Sequence, residues 1–209
     1  MRDRKMKAVT FSYDDGTIQD IRLIKMLDRY GLKATFNINS WLLGIENTLV
    51  CEGIQIAHIR NKRDEISDIY QKHEIASYTL THPRLPVHTD FEIIRQIEQD
   101  WEALSKLASY QVVGIAYPGG GINTDKRVAS LVINHTGIQY ARTIMSTLSF
   151  SFPADLFQIN PTIYPHRDGF DTLLSLAEKF ISLEPCSPQV FYIWRHSFEF
   201  EITDAFWTV

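Results

Sequence analysis

Four apolar runs in this chain end on groups that can do chemistry. Asp14-Asp15-Gly16 closes the first, Thr81-His82-Pro83 follows residues 74–80, Arg142-Thr143 follows GIQYA, and His196-Ser197 follows QVFYIWR. A fifth run, VVGIA, ends in Tyr117-Pro118-Gly119. Two carboxylates, two imidazoles and a guanidinium are groups suited to moving protons or holding a metal. In the stretch EIASYTLTH a second imidazole four positions before His82 would make a metal pair, but Tyr78 stands there.

Each group also has a plainer reading. Asp14 and Asp15 suit the N-terminal end of a helix beginning near residue 17, where aspartate caps and complements the dipole. His82 before a proline suits a surface turn, Pro118-Gly119-Gly120-Gly121 an ordinary loop, and Arg142 any salt bridge. His196 follows one of the most apolar stretches of the chain, and its plain reading is a ring hydrogen-bonded at the rim of the core. His58, His73, His88 and His135 are read as solvated, and His166 is held in reserve near the mouth of the fold.

The elements that position these groups follow from periodicity. KAVTFSYDD reads as a strand, and residues 17–30 as a helix with Ile18, Ile21, Ile24 and Leu27 on one side and Gly31 beyond its end. With LKATFNIN as the next strand, the opening unit is β-α-β, which calls for parallel pairing. Residues 40–63 are expected to be loops. A short helix at 63–71 and the strand HEIASYT follow. Thr89 and Glu92 form a capping box at the head of a helix to about residue 108, with Phe91, Ile94, Ile97, Trp101 and Leu104 as its expected buried stripe. Further strands at VVGIAYP, GIQYART and QVFYIWRH alternate with helices over 124–134 and 171–182, and a proline breaks the short strand FQINPTIYP. This alternation gives an α/β fold, a barrel or a curled parallel sheet, with chemistry at the carboxyl ends of its strands.

A length of 209 residues with 44% hydrophobic content suits one core, so a single domain over 1–209 is expected. A net charge of −4 gives no electrostatic footprint for nucleic acid. No run is long enough for a membrane span, and the basic start lacks a secretory apolar core, so a cytoplasmic location is expected. Cys51 and Cys186 form no framework and are expected to be small buried residues.

Taken in order, FSYDDG, EIASYTLTHPRL, AYPGGGIN and FYIWRHSFEF resemble the motifs of NodB-like polysaccharide deacetylases, carbohydrate esterase family 4. The resemblance runs from about residue 7 to 200. It implies a distorted (β/α) barrel of about seven parallel strands and a divalent metal, often zinc, held by Asp-His-His. Carried over, Asp14 is the base, Asp15 and His82 are ligands, Tyr78 occupies the third ligand position, and His196 is the acid. Tyr117, Pro118 and Gly119 fall in the segment that contacts substrate and oxyanion. Ala116 stands where many members have an arginine beside the base, which leaves Arg142 for that task. Arg195 replaces a small residue before His196 and is expected to narrow the site.

A phenol with an ordinary pKa near 10 is a poor ligand at neutral pH, so the metal is expected to be weakened or absent. Three functions follow: a hydrolase of non-peptide C–N bonds that deacetylates an N-acetylated saccharide or related small amide, a degenerate saccharide-binding member, and a metal-independent amidohydrolase like the allantoinase-like branch of this fold. The sequence leaves oligomeric state undetermined. The ending DAFWTV is expected to begin a closing helix that the chain cuts short.

Overall fold

The computed structural model describes residues 6–202. The basic start and the expected closing helix at DAFWTV lie outside them. The scaffold is a curled sheet of six strands, all parallel: β1 (Lys7–Asp14), β2 (Ala34–Ile38), β5 (Glu74–Ser77), β6 (Gly114–Ala116), β7 (Tyr140–Arg142) and β8 (Gln189–His196), in the order β7-β6-β5-β2-β1-β8. The expected β-α-β start is present, with α1 at Asp20–Arg29. This helix begins later than the periodicity suggests, because Thr17 pairs in an isolated bridge with Arg60.

Between the edge strands β7 and β8 runs the proline-broken segment. Ile159 bridges Arg142 on one side and Ile163 bridges Ile193 on the other. Pro161 prevents a continuous ladder, so the seventh strand position of the barrel is filled by irregular chain.

Residues 40–63 depart from the expected loops. They fold into an antiparallel hairpin, β3 (Glu46–Cys51) and β4 (Ile54–Ile59). Its two-residue turn, Glu52-Gly53, has both φ angles positive (52° and 81°), the conformation that matches the twist of the flanking strands. The missing signal was apolar contrast: all six β3 and β4 positions flanking the turn, from Thr48 to Gln55, are exposed or half-buried.

Helices pack outside the sheet: α2 (Ile66–Ile69), α3 (Asp90–Ala108), α4 (Lys126–His135), α5 (Pro165–Asp168) and α6 (Phe170–Ser182). Thr89 caps α3 by accepting from the Glu92 N–H. The buried face of α3 is rotated from the expected stripe: Ile93, Gln96, Ile97, Asp100 and Leu104 turn inward, whereas Phe91 is 78% exposed. The main core joins α1, α3 and α4 to the sheet through Leu23, Leu27, Phe36, Ile75, Ile97 and Val128, each burial contributing about 1.5–3 kcal/mol. A second cluster, Phe150, Ile163, Leu176, Phe180 and Phe191, seats α6.

Other expectations are corrected. Cys186 is exposed and Cys51 half-buried. His58 and His73 are buried rather than solvated, and His73 Nδ1 accepts the Ala34 N–H at 3.2 Å. Among the described residues no helix is long and apolar enough to cross a membrane.

Candidate functional site

Register brings the strand ends together. Asp14 pairs with Asn37 on one side and His196 on the other. The Tyr78 N–H donates to the Ile38 carbonyl at 2.9 Å, which sets the chain after β5 beside β2. Three non-glycine residues here adopt left-handed backbone: Asp15 (φ 87°), Thr79 (65°) and His82 (63°). Such conformations cost about 1–3 kcal/mol each and persist where the surroundings over-determine them.

An opening of about 410 Å³ lies over these ends, lined by Tyr78, His82, Gly119, Tyr164, Trp194 and His196 among others. Tyr164 stacks on Trp194 with centroids 4.1 Å apart, giving one wall an aromatic face. Asp14 and Asp15, both buried, are not among the residues lining it.

Asp14 is fully buried and ion-paired. Arg142 Nη2 donates to both its oxygens, at 2.5 and 2.7 Å, and Asn37 Nδ2 donates to Oδ1 at 2.7 Å. The Arg142 guanidinium also stacks over Trp194 at 4.6 Å. Tyr78 faces Asp14. Burial, then the charges of Asp14 and Asp15, hold its phenol well above the ordinary pKa, so it stays protonated.

His196 is held by a partner that sequence reasoning missed. Glu199 Oε1 accepts from His196 Nδ1 at 2.9 Å and also from the Tyr164 hydroxyl. Burial alone would favour the neutral ring, but the hydrogen bond and charge of Glu199, with Asp15 and Asp14 nearby, raise its pKa to about 9. The signal was a carboxylate three residues after His196, which a turn of 3-10 helix over Ser197–Ile202 folds back. Arg195 does not narrow the pocket: it pairs with Glu199 Oε2 at 3.2 Å and stacks on Phe200, away from the lining.

Asp15 has partners from the unexpected hairpin. His58 Nε2 donates to Oδ2 at 2.9 Å, and Arg60 Nη2 lies 3.2 Å from Oδ1. Burial would raise its pKa, but the His58 hydrogen bond and the charges of His196 and Arg60 drive it well below the usual carboxylate range. His82 lies edge-on to Tyr78, and burial, opposed by Asp15 and Asp14, lowers its pKa and favours the neutral ring.

The segment after β6 is split in its contribution. Tyr117 is buried, its N–H donating to the Arg142 carbonyl and its hydroxyl to the Phe157 carbonyl, and Pro118 has no N–H. Neither Tyr117 nor Pro118 therefore offers a donor to substrate, whereas Gly119, Gly120 and Gly121 line the opening.

A tight zinc site needs about three protein ligands, with N or O donors near 2 Å. Neutral His82 suits that chemistry, and Asp15 Oδ1 is a buried oxygen without a hydrogen bond. The third position is a protonated phenol. An ion about 2 Å from Oδ1 would also stand within roughly 5 Å of the Arg60 guanidinium, a repulsion of about 7 kcal/mol at an effective dielectric of 20. That offsets about half of what a structural zinc site gains. Among the described residues no group of three His, Cys, Asp or Glu side chains is arranged to hold a metal. The residues present do not fit a tightly held ion.

Known proteins share this architecture. The Streptococcus pyogenes deacetylase solved with acetate aligns at 18% identity and TM-score 0.61, over 83% of this chain and 69% of its own. A polysaccharide deacetylase from Bacillus cereus aligns at 19% and 0.60, over 79% and 49%. A Bacillus anthracis pseudoenzyme of the CE4 family aligns at 17% and 0.57, over 99% and 60%. At these identities the likeness is one of fold, and this chain spans only about half the length of the Bacillus cereus protein. No curated protein matches the sequence. The sequence profile described as "Polysaccharide deacetylase" matches residues 1–141, more than half of the chain and all the strand ends up to β7. The chain therefore belongs to the polysaccharide deacetylase family.

Proposed function

We propose that this chain is a hydrolase of a non-peptide carbon–nitrogen bond that removes an acetyl group from an N-acetylated saccharide or a related small amide. The carrying observation is the His196–Glu199 pair at the pocket wall, next to the buried Asp14–Arg142 pair. With a pKa near 9, His196 is protonated at neutral pH and supplies the proton the leaving nitrogen needs.

Asp14 is the proton acceptor in this reading. Because Tyr78 lines the opening and Asp14 does not, a water proton passes to the phenol oxygen as the phenol gives its own proton to Asp14. Arg142 and Asn37 fix the carboxylate for that transfer. Gly119 and Gly120 line the opening and would offer N–H groups to the acyl oxygen, with the His196 cation adding positive charge. The Tyr164–Trp194 wall offers a sugar ring an apolar face. The family's divalent metal, zinc in the resemblance, is not part of this reaction, because the donors around Asp15 and His82 suit only weak retention.

One observation favours a second reading, binding of a saccharide without turnover: both oxygens of Asp14 are already engaged by Arg142 and Asn37. The Bacillus anthracis neighbour is described as a pseudoenzyme, and a mutant of it as having restored activity. Acetate release from acetylated chitooligosaccharides and small N-acetyl amides separates the two. Release that is abolished in His196→Asn supports hydrolysis; saturable binding with no acetate supports the second reading.

A further inference from the structure

His58 on β4 and Arg60 just beyond its end turn inward and have no task in the proposed reaction, yet they converge on one carboxylate. Arg60 is 8% exposed and held on three sides. Its Nη1 donates to the Asp15 carbonyl at 2.7 Å and to Asn39 Oδ1 at 2.9 Å, and its Nη2 faces Asp15 Oδ1. Asn39 in turn donates to the carbonyls of Tyr78 and Thr79, at 2.5 and 2.8 Å. One guanidinium thus ties the ends of β1, β2 and β5 together. The backbone beneath it is also fixed: the Arg60 N–H donates to the Ile45 carbonyl, and the Asn61 N–H to the Gly16 carbonyl. His58, edge-on to Phe198, completes the ring of donors around Asp15.

We propose that Arg60 is the resident cation of this site, supplying beside Asp15 the positive charge that a divalent metal supplies elsewhere in the family, and thereby excluding that metal. The inference holds whether or not the pocket turns over a substrate. A buried carboxylate needs a compensating charge, and an arginine never loses its own. Its planar fork also reaches a backbone carbonyl and a side-chain amide together, which an ion or a lysine does not do in the same way. Replacing Tyr78 by histidine restores the missing imidazole but leaves the guanidinium in place, so the imidazole alone does not make a metal site.

Zinc binding tests this directly, read by equilibrium dialysis with metal analysis and by thermal shift in added zinc. The wild type and Tyr78→His are expected to retain no stoichiometric zinc and to show no shift. Tyr78→His together with Arg60→Gln is expected to bind zinc about five orders of magnitude more tightly than Tyr78→His alone, since the repulsion is removed. If that double variant fails to fold, Tyr78→His with Arg60→Lys keeps the charge on a flexible stem that can swing aside, and about tenfold tighter binding is expected. One equivalent of zinc on the wild type or on Tyr78→His overturns the proposal. A folded double variant that binds no better than Tyr78→His overturns it equally. None of these readings depends on acetate release, so failure here is distinct from failure of the proposed hydrolysis.

Discussion

The charge on His196 is set by Glu199, and that coupling can be tested residue by residue. Glu199→Gln keeps a hydrogen-bonding side chain but removes the charge that raises the imidazole to about 9. The alkaline limb of kcat/KM should then shift toward the ordinary histidine value near 6.5, with activity at pH 8 falling about thirtyfold. An unmoved limb would show that another group supplies the proton. Asp14→Asn tests a different term, because it leaves Arg142 buried without its counter-charge. It should abolish acetate release and cost about 3–5 kcal/mol in urea denaturation. Asp14, Asp15, His82, Arg142 and His196 were readable in the sequence because each polar group ends an apolar run. His58 and Arg60 were not, since the mostly solvated hairpin gives no apolar contrast to show which of its residues turn inward. Glu199 was passed over because its role depends on a turn rather than on a strand end.

At the level of elements, α3 does more than cover the sheet. Its buried Asp100 accepts from the Ser40 N–H at 2.7 Å and the Ser77 hydroxyl at 2.6 Å, pinning the chain after β2 to the end of β5 just before Tyr78. Asp100→Ala leaves these donors unpaired and should lower stability by about 2–4 kcal/mol, measured by chemical denaturation. A loss within 0.5 kcal/mol would show that the strand ends hold their positions unaided. Hydrophobic counting found only part of this face of α3: Ile97 and Leu104 are inward as expected, but Gln96 and Asp100 join them and Phe91 does not. The capping box at Thr89, by contrast, was legible as a local pattern with a local partner. The hairpin had its own local signal, a two-residue turn with glycine between runs of β-formers, but its solvated faces lack the contrast that marks a strand.

For the whole molecule, the alternation of strands and helices was enough to read a curled parallel sheet. The gap between β7 and β8 was not readable, because the segment filling it is held by single bridges and by Pro161 rather than by a ladder. Fold stability should follow the site's charges. His196 is raised in the folded state, so its contribution is complete below about 6.5 and is lost as pH rises through about 9. Asp20, raised by burial from 3.8 to about 7, likewise loses its contribution as pH rises through that value. Glu199 is lowered from 4.5 to about 2, so its contribution is present above about 4.5 and is lost as pH falls through about 2. Thermal unfolding should therefore show a lower Tm at pH 9 than at pH 6, with Asp20→Asn flattening the part of that fall near pH 7. A Tm that rises from pH 6 to 9 would contradict these assignments.

Acetate release from an acetylated chitooligosaccharide, after exhaustive chelation and without added metal, tests the central claim most directly. The account predicts release that survives chelation and disappears in His196→Asn. Release that appears only when zinc is restored, or no release under either condition, would contradict it.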